Sequence, residues 1–249
     1  MDAVYTLWLR QLKRYSRSRS RILGSLGMPL FFLLILGFGL NSVVTGPHMG
    51  RGYVAFIVPG IVSMTVLFTS MFAGIQIIWD RQFGFLKETL VAPVSRLEIM
   101  LGQTLGGATT ALFQGFIILV LSLFLGVRPA GAGGVAVAVG FMILIGVGFT
   151  ALGIAIASRM QDMHGFQLIM NFVIFPIFGL SGALFPIGSL PAWVRALTLL
   201  DPLTYGVEGI RYGLAGAAQL SPAASVAGLG AFTVATVVVG ARLFKTVQI

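Results

Sequence analysis

The sequence predicts an all-α membrane protein: six transmembrane helices, an N-terminal amphipathic interfacial helix, and outer re-entrant helices before the last span. Three observations predict it. Hydrophobic residues make up 57% of the chain and the mean hydropathy is +0.98, outside the range of soluble domains. Several uninterrupted apolar runs reach about 20 residues, long enough to cross roughly 30 Å of hydrocarbon as helices. Charged residues are only 9% of the chain and gather between those runs, as the cost of charge in the bilayer core requires. Residues 1–249 form a single membrane domain on this reading.

Residues 1–21 open the chain as an amphipathic helix. At 100° per residue Val4, Tyr5, Trp8, Leu12 and Tyr15 share one face, while Arg10, Lys13, Arg14, Arg17 and Arg21 gather on the other. An aromatic-apolar face backed by a basic one suits a helix lying flat at the headgroups. No cleavable signal peptide is visible, because the first apolar run begins behind this basic stretch and is long enough to remain as a span. The spans fall at 22–44, 53–79, 99–125, 134–157, 165–183 and 223–241. Gly102, Gly106 and Gly107 in the third, and Gly146, Gly148 and Gly153 in the fourth, allow close helix approach. Pro59 and Pro176 are expected to kink their helices.

An even number of spans puts both termini on one side. That side carries Arg10, Lys13, Arg14, Arg17, Arg19, Arg21, Arg81, Lys87, Arg96, Arg159, Arg242 and Lys245, against Arg51, Arg128, Arg195 and Arg211 on the other. Twelve against four predicts cytoplasmic termini in a multi-pass plasma membrane protein. The net charge of +9 is thus explained by topology and anionic lipid, not by nucleic acid. Cysteine is absent, which excludes disulfides and thiolate metal sites. As drawn, no span holds a Lys, Arg, Asp or Glu, which argues against transport driven by an ion gradient. Ser63, Thr65, Gln76, Thr109, Gln114, Gln167 and Asn171 are the mild polar groups left inside, and joining helices is their expected role.

Two connecting segments carry the functional signal. Residues 80–97 follow the second span, and Asp80, Arg81, Lys87 and Glu88 pack four charges into nine positions. A short helix stopped by Pro93 in water on the cytoplasmic side is the expectation, with a soluble partner as its occupant. Residues 184–221 lie on the outer side, too long for a turn and too apolar for a free loop. Pro191 suits a helix start, Asp201-Pro202 a break, and Leu203 to Leu214 a second short helix with Glu208 and Arg211 three apart. Two such helices would dip into the outer leaflet, where backbone must be helical or covered.

The run Asp80-Arg81-Gln82-Phe83-Gly84-Phe85-Leu86-Lys87-Glu88-Thr89-Leu90-Val91-Ala92-Pro93 and the outer motifs Leu184-Phe185-Pro186, Leu190-Pro191 and Asp201-Pro202-Leu203-Thr204-Tyr205 with Glu208 to Arg211 together resemble ABC-2 type (type V) ABC exporter permeases. The likeness covers essentially the whole chain and is nearest to the lipophilic-drug and oligosaccharide exporters of the DrrB and NodJ kind. It implies a half-transporter, in which two copies form the pathway above two separate ATPase subunits. On this likeness Asp80, Arg81, Gly84, Lys87 and Glu88 form the ATPase-coupling element. Pro186, Pro191, Trp193, Asp201, Pro202, Tyr205, Glu208 and Arg211 shape an outer gate in the re-entrant segment. Lys87 stands where many relatives have an acidic residue. The implied cargo is lipophilic, amphipathic or lipid-linked, with an oligosaccharide or polysaccharide as the alternative. The chain contains no G-x-x-x-x-G-K-[ST] phosphate loop, so ATP and Mg are expected on the partner and no cofactor or metal on this chain. An ATPase-independent channel or scaffold is a third class. An intramembrane protease is a fourth, prompted by Gly179-Leu180-Ser181-Gly182. No span supplies its base: His164 begins the same span, roughly 25 Å from Ser181 by helical rise, and His48, which distance does not exclude, lies in an outer loop. No catalytic residue is assigned.

Overall fold

The computed structural model describes residues 2–39, 52–85 and 94–245. Among these residues the regular elements are helical: α1 (Asp2–Arg17), α2 (Arg19–Gly39), α3 (Gly52–Ala73), α4 (Ile75–Gln82), α5 (Arg96–Phe124), α6 (Ala132–Ala157), α7 (Met163–Leu180), α8 (Ala192–Leu200), α9 (Pro202–Ala215) and α10 (Pro222–Lys245), with one 3₁₀ turn at Ile187–Ser189. Five stretches are long and apolar enough to cross a membrane: Gly52–Gln82, Arg96–Phe124, Ala132–Ala157, Met163–Leu180 and Pro222–Lys245. A sixth arises if α1 and α2, which meet at a 74° bend, count as one broken span. The predicted first span falls on α2 up to Gly39, and its remainder lies outside the described residues.

Helix starts follow local chemistry. Ser95 caps α5 in a reciprocal box: its hydroxyl accepts the Glu98 amide at 3.2 Å, and its own amide donates to Glu98 Oε2 at 2.9 Å. Asp162 caps α7 by accepting the His164 and Gly165 amides at 3.2 and 2.6 Å. Asp201 accepts the Leu203 amide at 2.9 Å and is followed by Pro202 at the first helical position of α9.

The second spanning helix is the axis of the bundle, since 78% of its most apolar 18 residues are buried against 22% of those of α7. Ile57, Ile61, Leu67 and Met71 of α3 pack with Phe149 of α6 and Met142 in one continuous core. At the α3–α4 junction Gly74 lies on the backbone of Gly153. A Cβ on Gly74 would overlap the Gly153 carbonyl, and one on Gly153 the Met71 carbonyl. The helix then runs on to Gln82, three residues past the predicted stop at 79.

The contacts define two ends. At one end lie α1, the close of α4, the start of α5, the α6–α7 turn and the close of α10, where Arg96 Nη1 donates to the Lys245 carbonyl at 2.5 Å. At the other lie the start of α3, α8, α9 and the α5–α6 turn; there Tyr53 donates to the Leu184 carbonyl at 3.3 Å and the Ala130 amide to Leu214 at 3.0 Å.

α1 packs along α5, and the two run in the same sense. Val4 and Leu7 meet Gly102, Gln11 meets Gly106, and Tyr15 sets its ring edge-on to Phe113 at 6.3 Å. A Cβ at Gly106 would lie 2.6 Å from Gln11 Cβ, so the absent side chains make the groove that α1 fills. Trp8 Nε1 donates to Thr109 Oγ1 at 3.0 Å. The predicted apolar face is therefore divided. Trp8 and Tyr15 are engaged with protein, and Tyr5 remains 59% exposed.

Candidate functional site

Asp80 sits two residues before the end of α4 and is only 3% exposed. The sequence reading put it in water, as part of a free docking segment; the structure puts it inside the bundle. It can stay there because the bundle supplies its partners. Arg10 Nη2 of α1 donates to Oδ2 at 2.7 Å, Gln76 Nε2 to Oδ1 at 2.5 Å, and Gln103 Nε2 of α5 to Oδ2 at 3.3 Å. Gln11 Nε2 donates in turn to Gln103 Oε1 at 2.6 Å. A second guanidinium, that of Arg14, stands 4.0 Å from Oδ1. One carboxylate thus pins three helices, and charge pairing plus hydrogen bonds offset its desolvation.

Arg81 points to the other side of α4. Its Nη1 and Nη2 donate to the carbonyls of Met160 and Ser158 at 3.0 and 3.3 Å, and Gln82 Nε2 donates to the Gln161 carbonyl at 3.1 Å. These bonds fix the α6–α7 turn to the end of α4. Gly84 then takes φ +81°, which ends the helix and turns the chain outward. Phe83, stacked on Trp79 at 5.3 Å between ring centres, is 61% exposed just before the turn. Lys87, Glu88 and Pro93 lie outside the described residues.

The predicted outer-gate residues divide among several places. Pro186 precedes the 3₁₀ turn and Pro191 precedes α8, each setting an extended backbone before a helical start. Trp193 of α8 is 70% exposed. Asp201, Pro202 and Tyr205 form the α8–α9 corner, where Tyr205 OH donates to the Leu199 carbonyl at 2.8 Å and Thr204 Oγ1 to Thr198 at 2.7 Å. Asp201 Oδ2 is buried without a partner, and burial pushes this carboxyl up to about 7. Glu208 and Arg211 are paired as their spacing predicts, but deep inside. The pair is buried, Arg211 Nη2 donates to the Gly182 carbonyl at 3.0 Å, and its guanidinium lies 4.3 Å from the centre of the Phe56 ring. Glu208 Oε2 accepts the amides of Gln219 and Leu220. The pair therefore clamps α9 to α3, to the turn at Gly182 and to the approach of α10.

Other partners escaped the sequence reading. Gln103 and Gln11 carry no motif, Arg10 was legible only as part of the basic face of α1, and the one local signal at Asp80 itself is its i,i+4 spacing from Gln76. Gln114 Nε2 donates to Tyr15 OH at 2.8 Å and to Ser25 Oγ at 2.5 Å, and its Oε1 accepts from Thr69. The helix-joining role expected of Thr109 and Gln114 holds, whereas Gln76 bonds Asp80 of its own helix. Ser63 and Thr65 instead bond their own helix, donating to Pro59 and Ile61 carbonyls at 2.8 Å each. Gln167 and Asn171 are exposed on α7 beside exposed Leu168 and Phe172. Ser181 is buried and donates to the Phe178 carbonyl at 2.7 Å, as a helix-end residue does.

Residues 2–215 match the family model described as ABC-2 type transporter. Similar proteins carry permease names. A transport permease by name, ycf38 of Cyanophora paradoxa, is 30% identical over 85% of this chain and 74% of its own length. The inner membrane transport permease YadH of Escherichia coli strain K12 is 29% identical over 86% of this chain and 83% of its own. Nodulation protein J of Sinorhizobium fredii is 28% identical over 82% and 78% respectively.

Proposed function

The chain belongs to the ABC-2 type transporter family, and from that premise we propose that it is the membrane-spanning permease subunit of an ATP-driven exporter. It is a multi-pass transporter subunit, not an enzyme, in keeping with the relatives named transport permeases. In the proposed assembly two copies form the path and two separate ATPase subunits bind at the end that carries both termini, which faces the cytoplasm of the plasma membrane. ATP and Mg reside on those subunits. The cargo is lipophilic, amphipathic or lipid-linked, and leaves from the cytoplasm or the inner leaflet.

The single observation that carries this reading is the junction around Asp80. A basic surface helix and the second spanning helix are tied through one carboxylate, six residues before the segment 86–93. Force applied by an ATPase at residues 86–93 would reach α4 through the backbone and α1 through Arg10. Gly84 is the turn between lever and shaft. Lys87 and Glu88 are the residues assigned to the ATPase surface. Asp80 and Arg81 act behind them, holding α1 and the α6–α7 turn to the moving helix. At the far end the α8–α9 corner and the Glu208–Arg211 clamp keep the outer segment in place as the exit opens.

The experiment is co-purification and hydrolysis with an ABC ATPase encoded beside this chain. Lys87→Glu with Glu88→Lys is expected to weaken ATPase association about tenfold or more and to abolish lipid stimulation of hydrolysis, while the permease still folds. Full transport with no ATPase bound would sink the reading, as would unchanged association in that double variant.

A further inference from the structure

We propose that each copy of this chain holds an anionic amphiphile in a cleft of its own, between α1, α2, the α3–α4 helix and α5. The cleft encloses about 500 Å³ and is open on one side. That is the size of sites that take a drug-sized or single-chain ligand. Its wall on the second spanning helix extends from Met64 to Trp79, about 20 Å at helical rise. This is roughly one leaflet with its headgroups.

The lining is graded along that length. Arg14 at the Trp79 end is the one charged side chain among the lining residues. Asp80 beside it is already satisfied by Arg10 at 2.7 Å, so two guanidiniums face one carboxylate and a unit of positive charge is left over. Arg14 is the surplus partner: it stands 4.0 Å from Asp80 and its side chain is 45% exposed. A phosphate or carboxylate group would complete it with short charge-assisted bonds. Beyond it the wall is Met28, Met64, Phe68 and Phe72, an apolar surface that the two methionines can adjust to an alkyl chain. Tyr15, Ser25 and Thr69 are bonded to the buried Gln114 within this wall, with Thr69 between Phe72 and Phe68 along the helix, so these polar groups are satisfied from inside the protein and leave Arg14 as the anchor for the acidic head. The role of the ligand as cargo rests on the export reading; its binding does not.

The test uses the full chain alone in nanodiscs of phosphatidylcholine, with Trp8→Phe and Trp193→Phe so that Trp79 is the sole tryptophan of the three. Dibrominated phosphatidylglycerol is titrated against dibrominated phosphatidylcholine, and quenching of Trp79 is read. The anionic lipid is expected to quench at a mole fraction about fivefold lower, the preference one basic residue near a surface supplies. Arg14→Gln should remove the preference, and Gly24→Leu, which fills the cleft where a side chain has room and keeps Trp79 the sole tryptophan, should reduce quenching by both lipids. Arg17→Gln is the control, because Arg17 lies on the same helix but does not line the cleft. Equal quenching by the two lipids overturns the proposal. So does an Arg17→Gln effect as large as that of Arg14→Gln, which would mean general attraction to a basic helix. Binding that persists while the lipid fails to stimulate a bound ATPase supports the cleft and removes only the cargo role.

Discussion

At the scale of single residues, three carboxylates carry the structure and each behaves differently. Asp80 is buried but its main partner, Arg10, is 41% exposed. Asp80→Asn keeps the shape and strands a guanidinium that water can partly rehydrate. The expected loss is therefore about 1–3 kcal/mol, read as a lowered melting temperature in detergent. The double variant with Arg10→Gln should be no less stable than Asp80→Asn alone. Glu208 has no such relief, because Arg211 is buried with it. Glu208→Gln should cost about 3–5 kcal/mol, the price of an unpaired buried charge, and show as loss of folded protein; Glu208→Gln with Arg211→Met should recover much of it. Asp201 is the pH-sensitive one. Its carboxyl titrates near 7 when folded against 3.8 when not. Between those values the folded chain holds a proton that the unfolded chain has released, so stability falls as pH rises from about 4 to about 7 and then levels. Asp201→Asn keeps the cap to Leu203 and should flatten that dependence. A melting temperature that rises between pH 5 and pH 8 in the parent chain would contradict the assignment.

At the scale of elements, the docking of α1 is the feature most open to test. Its seat exists because Gly102 and Gly106 present bare backbone to Val4, Leu7 and Gln11. Gly106→Leu should lift α1 from α5 and leave the rest of the bundle assembled. The readout is faster protease cleavage after Arg10 to Arg17, together with loss of ATPase stimulation. Retained stimulation with α1 released would show that α1 plays no part in transmission. What the sequence revealed of these elements follows from the range of the forces involved. Apolar length marked the five spans from 53 to 241 to within a few residues, and Pro191 and Asp201-Pro202 marked the ends of α8 and the start of α9, because those signals are local. Periodicity marked α1 as amphipathic but did not say that its face meets protein, since a helix pattern names a face and not its neighbour. The Arg10–Asp80 contact joins residues 70 apart. It was invisible for that reason, and Asp80 was consequently read as solvated. The Glu208–Arg211 pairing was legible at three residues' spacing; its depth, set by Phe56 and Gly182, was not.

At the scale of the whole molecule, the remaining question is which face meets the second copy. Of the five spans long and apolar enough by themselves, α7 and α10 are the least buried, with 22% and 28% of their most apolar 18 residues covered. Their exposed faces differ in chemistry. α10 presents Val226, Val234, Val238 and Val239, an aliphatic surface equivalent to lipid tails. α7 presents Phe172 at 83% exposure and Leu168 at 72%, flanked by the exposed amides Gln167 and Asn171. Amides at membrane depth are costly against hydrocarbon and gain when they meet another helix or an aqueous path. In the proposed assembly of two copies, α7 therefore lies toward the partner or the path, and α10 toward lipid. The chain has no cysteine, so single-cysteine variants report without background. Phe172→Cys should form intermolecular disulfides in native membranes at least several-fold more readily than Val234→Cys, and Asn171→Leu should weaken the assembly or block transport. Equal cross-linking at both positions would leave the amides unexplained by a partner; preferential cross-linking at Val234→Cys would place the second copy against the aliphatic face and reverse the arrangement.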